Sequence, residues 1–187
     1  MNAPALVSMP TPMQRVRRIA RWMRALCLLG ALALPAATLL VWRSPEWITA
    51  TAGAELGLGR VPITLTPGTH AAAVVVALLP VLAGLYALLQ VWRLFGDYAR
   101  GAIFTAGSSA RLRRLGWAVL VVAAVQVLAR TLLSLVLTFA NPTGQKALTV
   151  GLSSNDYVLV VFGLLLLAIA WVMVEATRLA RENEEFV

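Results

Sequence analysis

Gln126, Arg130, Ser134 and Thr138 follow one another at i+4 inside the apolar run 115–139, so on a helix they form one polar stripe down a single face. A charged residue deep in such a run marks either a functional position or a firmly paired structural one. Arg130 could therefore receive an anionic ligand or lipid, or fix helix packing. A second cluster lies in the connector "FGDYARGAIFTAGSSARLRR" at 95–114. Ser108 or Ser109 reads there as a helix N-cap, followed by Arg111, Arg113 and Arg114 in the opening turn. A helix N-terminus is itself positive, so three arginines on it call for a negative group. An anionic lipid headgroup is one candidate. The other is the acidic tail, where Glu182, Glu184 and Glu185 could clasp the arginine turn.

Little else in the chain is equipped for chemistry. Cys27 is the single cysteine and His70 the single histidine, which leaves no cysteine pair for a metal and no plausible serine–histidine–aspartate set. There is no GxxxxGK phosphate loop and no HExxH motif. His70 reads as a polar residue at a helix boundary. The expectation is a protein that is not an enzyme, with no cofactor and no metal.

The elements that carry these residues belong to a membrane. Of 187 residues 60% are hydrophobic and mean hydropathy is +0.81, well above soluble domains. Four runs, 25–42, 71–92, 115–139 and 157–177, approach or exceed the roughly 20 residues that cross a hydrocarbon core. None alternates with period two, so helices rather than barrel strands are expected. The first run reads as a retained helix rather than a cleaved leader, because it is longer than a leader's apolar segment and Trp42 closes it like an interfacial anchor. The fold class is therefore all-α, an integral membrane protein with four transmembrane helices. Residues 1–24 are expected to be a disordered, basic N-terminal segment, and 178–187 an acidic tail.

Orientation follows from the basic residues. Twelve arginines fall in the N-terminal segment, the middle connector and the tail, against Arg43, Arg60 and Lys146 on the other side. By the positive-inside rule both termini and the middle connector are cytoplasmic. The abundance of arginine and alanine points to a bacterial inner membrane. The net charge of +8 is then a topology signal and a membrane-surface patch, and no direct nucleic-acid partner is expected.

Further local expectations follow. Residues 61–66 alternate enough for a short strand lying over the helices. Asp97 faces water, and Ile103 and Phe104 dip into the headgroup boundary. Asn155 or Asp156 caps the fourth helix, and Glu175 pairs with Arg178 at i,i+3. Arg130 lies 15 residues beyond Leu115, about 22 Å at the helical rise. That is too far from Glu175, and places it level with Leu166 and Pro80. The carbonyl of Val76, freed by the Pro80 ring, is the expected acceptor for Arg130.

The segments "LFGDYARGAIFTAGSSARLRRLG" and "EATRLARENEEFV" resemble the bacterial membrane family catalogued as domain-of-unknown-function family 2975, over about residues 20–187. The resemblance implies a four-helix inner-membrane protein, frequently encoded beside a small helix-turn-helix regulator, and brings no catalytic or binding residues with it. The expected function is a non-enzymatic regulatory or sensory membrane component acting through its cytoplasmic connector and tail. Its expected partners are the lipid bilayer, anionic headgroups and a cytoplasmic regulator protein; the oligomeric state is open. A small permease or transporter subunit is the alternative, and the stripe from Gln126 to Thr138 is the only start of the polar path it needs.

Overall fold

The computed structural model describes residues 12–44, 46–50, 56, 63, 65–102, 105–142 and 148–184. The expectations for residues 1–11, Ile103, Phe104 and Glu185 lie outside them. Four long α-helices carry the fold: α1 (Pro12–Arg43), α2 (Pro67–Ala99), α3 (Ala106–Thr138) and α4 (Ser154–Glu184). No strand occurs among the described residues. Ile63 and Leu65 are in no regular element, and Thr66 is the N-cap of α2. All four helices are long and apolar enough to cross a membrane. The protein is a multi-pass, all-helical membrane protein.

Each helix outruns its apolar segment. At 31 to 33 residues they measure about 45–50 Å, against roughly 30 Å of hydrocarbon. The excess carries most of the charge. Residues 12–24, expected to be disordered, are instead the first turns of α1. Pro12 begins that helix, the favoured place for a proline, and Ala20 is almost fully buried, so the basic segment is anchored by packing.

Local signals set the helix ends. Thr66 and Thr69 form a reciprocal capping box, the Thr69 N–H donating to Thr66 Oγ1 at 3.2 Å and the Thr66 N–H to Thr69 Oγ1 at 2.9 Å, with Pro67 in the first turn. At the other end of α2, Gly101 has φ of 87°. The Ala102 N–H reaches the Asp97 carbonyl and the Gly101 N–H the Tyr98 carbonyl, each at 3.1 Å. This is a Schellman stop, which needs the left-handed conformation that glycine adopts without penalty.

The helices pack in chain order, α1 on α2, α2 on α3 and α3 on α4; no other pair of the four packs extensively among the described residues. The result is an open row, with α2 and α3 inside and α1 and α4 at its edges. Along α4 the buried positions are Asp156, Gly163 and Ala170, with Leu159, Leu166 and Met173 half-buried between them. That is the 3.5-residue seam of a coiled-coil contact. At its middle the backbones nearly touch. A Cβ on Gly163 would come within 2.8 Å of Leu120 and 3.2 Å of the Gly116 carbonyl, and one on Gly116 within 2.8 Å of Leu167. Small residues that admit close approach are what hold helices together where lipid removes the hydrophobic drive.

Because successive helices run in opposite directions, the starts of α1 and α3 and the ends of α2 and α4 share one end of the row. Leu94, Leu112, Leu115 and Ala170 form an apolar cluster towards it. At the far end, Ile48 from the helical stretch 46–50 and Leu56 pack against Ala73 of α2 and Leu137 of α3.

Candidate functional site

The end of the row where α2 passes into α3 is strongly basic. The Asp97 side chain, expected to face water, is one-tenth exposed and pairs with two arginines. Arg100 meets one carboxylate oxygen, and Arg111 Nε meets the other at 2.6 Å. Asp97 can do this because Gly101 turns the chain sharply enough to bring the first turns of α3 back against the last turn of α2. Asp97 therefore supplies a counter-charge to Arg111, one of the three arginines of that turn.

The cap of α3 also differs from expectation. Thr105 is the N-cap, accepting from the Ser108 N–H at 3.2 Å. Ser108 and Ser109 are both almost fully buried. The Ser108 hydroxyl donates to the Ala102 carbonyl and the Ser109 hydroxyl to the Thr105 carbonyl. They close the turn and present no free donors to an anion. Arg113 and Arg114 are exposed and form no ion pair among the described residues.

A cavity of about 780 Å³ opens beside this lock, between α1, α2 and α3. Arg24, Arg93, Arg100, Arg111 and Arg114 all line it. The Arg24 guanidinium stacks over the Trp92 ring, 4.2 Å from its centroid, while its Nε has no hydrogen-bond partner. Gln90 lines the same cavity, is 3% exposed, and makes no hydrogen bond among the described residues.

The tail does not close over the arginines through Glu182, which pairs at 3.4 Å with Arg178 on its own helix. Arg178 also meets Glu175 at 2.8 Å, the expected i,i+3 pair. The Glu184 side chain and Glu185 lie outside the described residues.

At the far end Arg130 has a partner that the depth estimate missed. Its guanidinium pairs with Asp156, and Nη1 donates to Ser153 Oγ at 3.1 Å. It stands level with the first turn of α4, not with Leu166, and the Val76 carbonyl is not its acceptor. The difference arises because α3 continues past the start of α4 and is covered there by connectors. From Arg111 to Arg130 is 19 residues, about 28 Å, close to the full hydrocarbon thickness.

Ser153 is the cap of α4. Its N–H donates to Asp156 Oδ2 at 2.8 Å and its Oγ accepts from the Asp156 N–H at 3.3 Å, a capping box with aspartate in the glutamate position. The rest of the stripe is occupied as well. Gln126 Oε1 accepts from Asn155 at 3.4 Å. Ser134 and Thr138 are fully buried. Their hydroxyls donate to the carbonyls of Thr131 and Ser134 respectively, and Ser134 Oγ accepts from the Thr149 N–H of the α3–α4 connector at 3.1 Å. A cavity of about 540 Å³ adjoins, lined by Gln126, Arg130 and Ser153 on one side and by Pro80, Ile48 and Leu137 among its apolar walls. His70 Nε2 lies 3.0 Å from the Trp42 carbonyl at the end of α1, where helix carbonyls lack partners. No group of three or more potential metal ligands occurs among the described residues.

The sequence did contain signals for both missed carboxylates. Ser153 and Asp156 have capping-box spacing, and Asp97 is the only acid in the middle connector. Arg24, Gln90 and Arg93 carry no local signal at all, since only packing brings α1 to the cavity.

The family model described as protein of unknown function (DUF2975) matches residues 35–187, and the chain belongs to that family. No curated protein and no solved structure matches it.

Proposed function

We propose that this member of the family is a non-enzymatic regulatory or sensory component of the bacterial inner membrane, with both termini in the cytoplasm and its basic end as the working surface. The observation that carries the reading is the concentration of arginines at the end shared by the start of α1, the α2–α3 turn and the end of α4. Inside-retention of positive charge turns that end to the cytoplasm. The Asp97–Arg111 lock holds the connector in one shape, while Arg113 and Arg114 remain exposed beside it. That combination fits a surface that presents charge to a partner, such as a regulator protein with an acidic face encoded nearby.

A permease or transporter subunit draws less support. It would need a continuous polar path, and the groups of the α3 stripe are engaged by the α4 cap, the connector and their own helix carbonyls.

Two measurements test the reading. In a Cys27→Ser background, single cysteines at Arg113 and Gly151 are challenged in intact cells with a membrane-impermeant maleimide. Gly151→Cys should label, and Arg113→Cys only after permeabilisation; the reverse pattern refutes the orientation. Transcript profiling of cells lacking the protein should show a confined gene set that wild type restores and an Arg113→Ser/Arg114→Ser variant does not. Altered uptake of a solute with unchanged transcripts would favour the permease.

A further inference from the structure

The arginine-lined cavity at the basic end is unbalanced in charge and incomplete in hydrogen bonding. Five guanidinium groups line it. The one carboxylate paired to any of them among the described residues, Asp97, is already shared between Arg100 and Arg111. Arg24, Arg93 and Arg114 have no acidic partner among the described residues. Like charges gathered in a partly apolar site repel one another, and helix packing does not remove that repulsion. The second observation is independent of charge. Gln90 lines this cavity at 3% exposure with no hydrogen bond among the described residues, and Arg24 Nε is buried without a hydrogen-bond partner there, a deficit worth about 1–3 kcal/mol for a buried donor. Both deficits are met by one kind of occupant, an anion with several acceptor oxygens.

We infer that this cavity is a binding site for a phosphate-bearing anion, held by Arg24, Arg93 and Arg114 with Gln90 as the neutral donor. Guanidinium forks match phosphate oxygens in shape and charge. The start of α3, where Gly107 and Ala110 line the cavity, adds the positive end of its dipole. Trp92 keeps Arg24 in place by stacking. The cavity lies beside a helix bundle end that carries basic charge at the membrane boundary, where anionic lipid headgroups are enriched on the cytoplasmic side. The same chemistry would also accept a soluble phosphate ester. The inference deepens the sensory reading by giving the class of its signal, and rests on that reading only for the side of the membrane concerned.

The test is ligand binding by the full chain purified in dodecylmaltoside, where neither orientation nor a protein partner matters. Thermal unfolding and tryptophan fluorescence are followed while phosphatidylglycerol is titrated in mixed micelles, with phosphatidylcholine as the zwitterionic control. Inorganic phosphate and glycerol 3-phosphate form the soluble arm, with sodium chloride matching ionic strength. Saturable stabilisation by phosphatidylglycerol alone identifies the lipid headgroup as the source; saturation by the soluble phosphates identifies a free ester. Arg93→Ala/Arg114→Ala, two exposed positions, should leave the unliganded melting temperature unchanged and weaken binding about tenfold or more, and Gln90→Leu should weaken it less. Absence of saturable binding in both arms overturns the inference, and so does binding that the double variant leaves intact. If binding succeeds while the labelling or transcript experiments fail, the site stands and the sensory reading falls.

Discussion

α3 is tied to each neighbour by one arginine–aspartate pair, and the two pairs are built to different ends. At the far end Arg130 meets Asp156 of α4, one charge against one, with side chains 16% and 4% exposed. The N–H and the hydroxyl of Ser153 donate to the same carboxylate oxygen, while Asp156 Oδ1 and Arg130 Nε are buried without a hydrogen-bond partner among the described residues. At the basic end Arg111 meets Asp97 of α2, but the same carboxylate also serves Arg100, and three further arginines crowd the adjoining cavity. The first pair is balanced in charge and enclosed, so it contributes to holding helices in register. The second leaves positive charge over, so it fixes a shape around an unmet electrostatic demand. The same two residue types yield a balanced clamp or a lock with positive charge left over, according to how many arginines each aspartate must answer.

The comparison can be broken most severely at the clamp. Asp156→Ala removes the counter-charge of a mostly buried arginine together with the α4 cap, and should destabilise the protein by about 3–5 kcal/mol, read as reduced stability to denaturant in mixed micelles. Arg130→Met/Asp156→Asn, which keeps the cap acceptor and removes both charges, should recover most of that loss. Recovery would show that the cost lay in the orphaned arginine; persistent loss would mean that the ion pair itself is needed.

A smaller effect is expected midway along the α3–α4 seam. Gly163→Val must displace Leu120 or the Gly116 backbone, for about 1–3 kcal/mol. It should loosen the far-end pair while phosphate binding at the basic end, which uses α1 to α3, stays within about twofold of wild type. Comparable losses at both ends would show that the row behaves as one rigid block. Gly101→Ala, at φ of 87°, should cost about 1–2 kcal/mol, and by shifting the α2–α3 turn should weaken binding at the basic end more than it lowers the melting temperature. The smallest effect belongs to Arg93→Ala alone, expected within about 0.5 kcal/mol of wild-type stability but measurable in the salt dependence of anion binding.

Much of the fold was legible because lipid makes severe local demands. A run of apolar residues must be helical to satisfy its own amides, and a glycine after a helix or a Ser-x-x-Asp before one acts through neighbours in sequence. The site was less legible. The sequence gathered Arg111, Arg113 and Arg114 because they are adjacent, and singled out Ser108 and Ser109, which turned out to close the turn internally. It could not join Arg24 to Arg93 or place Gln90 beside them, because those meetings depend on which face of α1 lies against α2. The depth estimate for Arg130 failed for a related reason. Counting from the edge of an apolar run assumes that neighbouring helices start at the same level, whereas α3 runs on past the start of α4 beneath the connector that bonds Ser134.

By itself, then, the sequence determined that four helices cross a membrane, and the uneven placement of arginines already separated one end from the other. Hydropathy and capping act within a few residues, so they can be read without coordinates. Only the tertiary structure decided which arginine each aspartate answers, that the helices stand in an open row, and that Gln90 lies beside five guanidinium groups with no hydrogen bond among the described residues. Those outcomes depend on side-chain contacts between helices distant in sequence, set by close approaches such as Gly116 on Gly163, which no local pattern encodes.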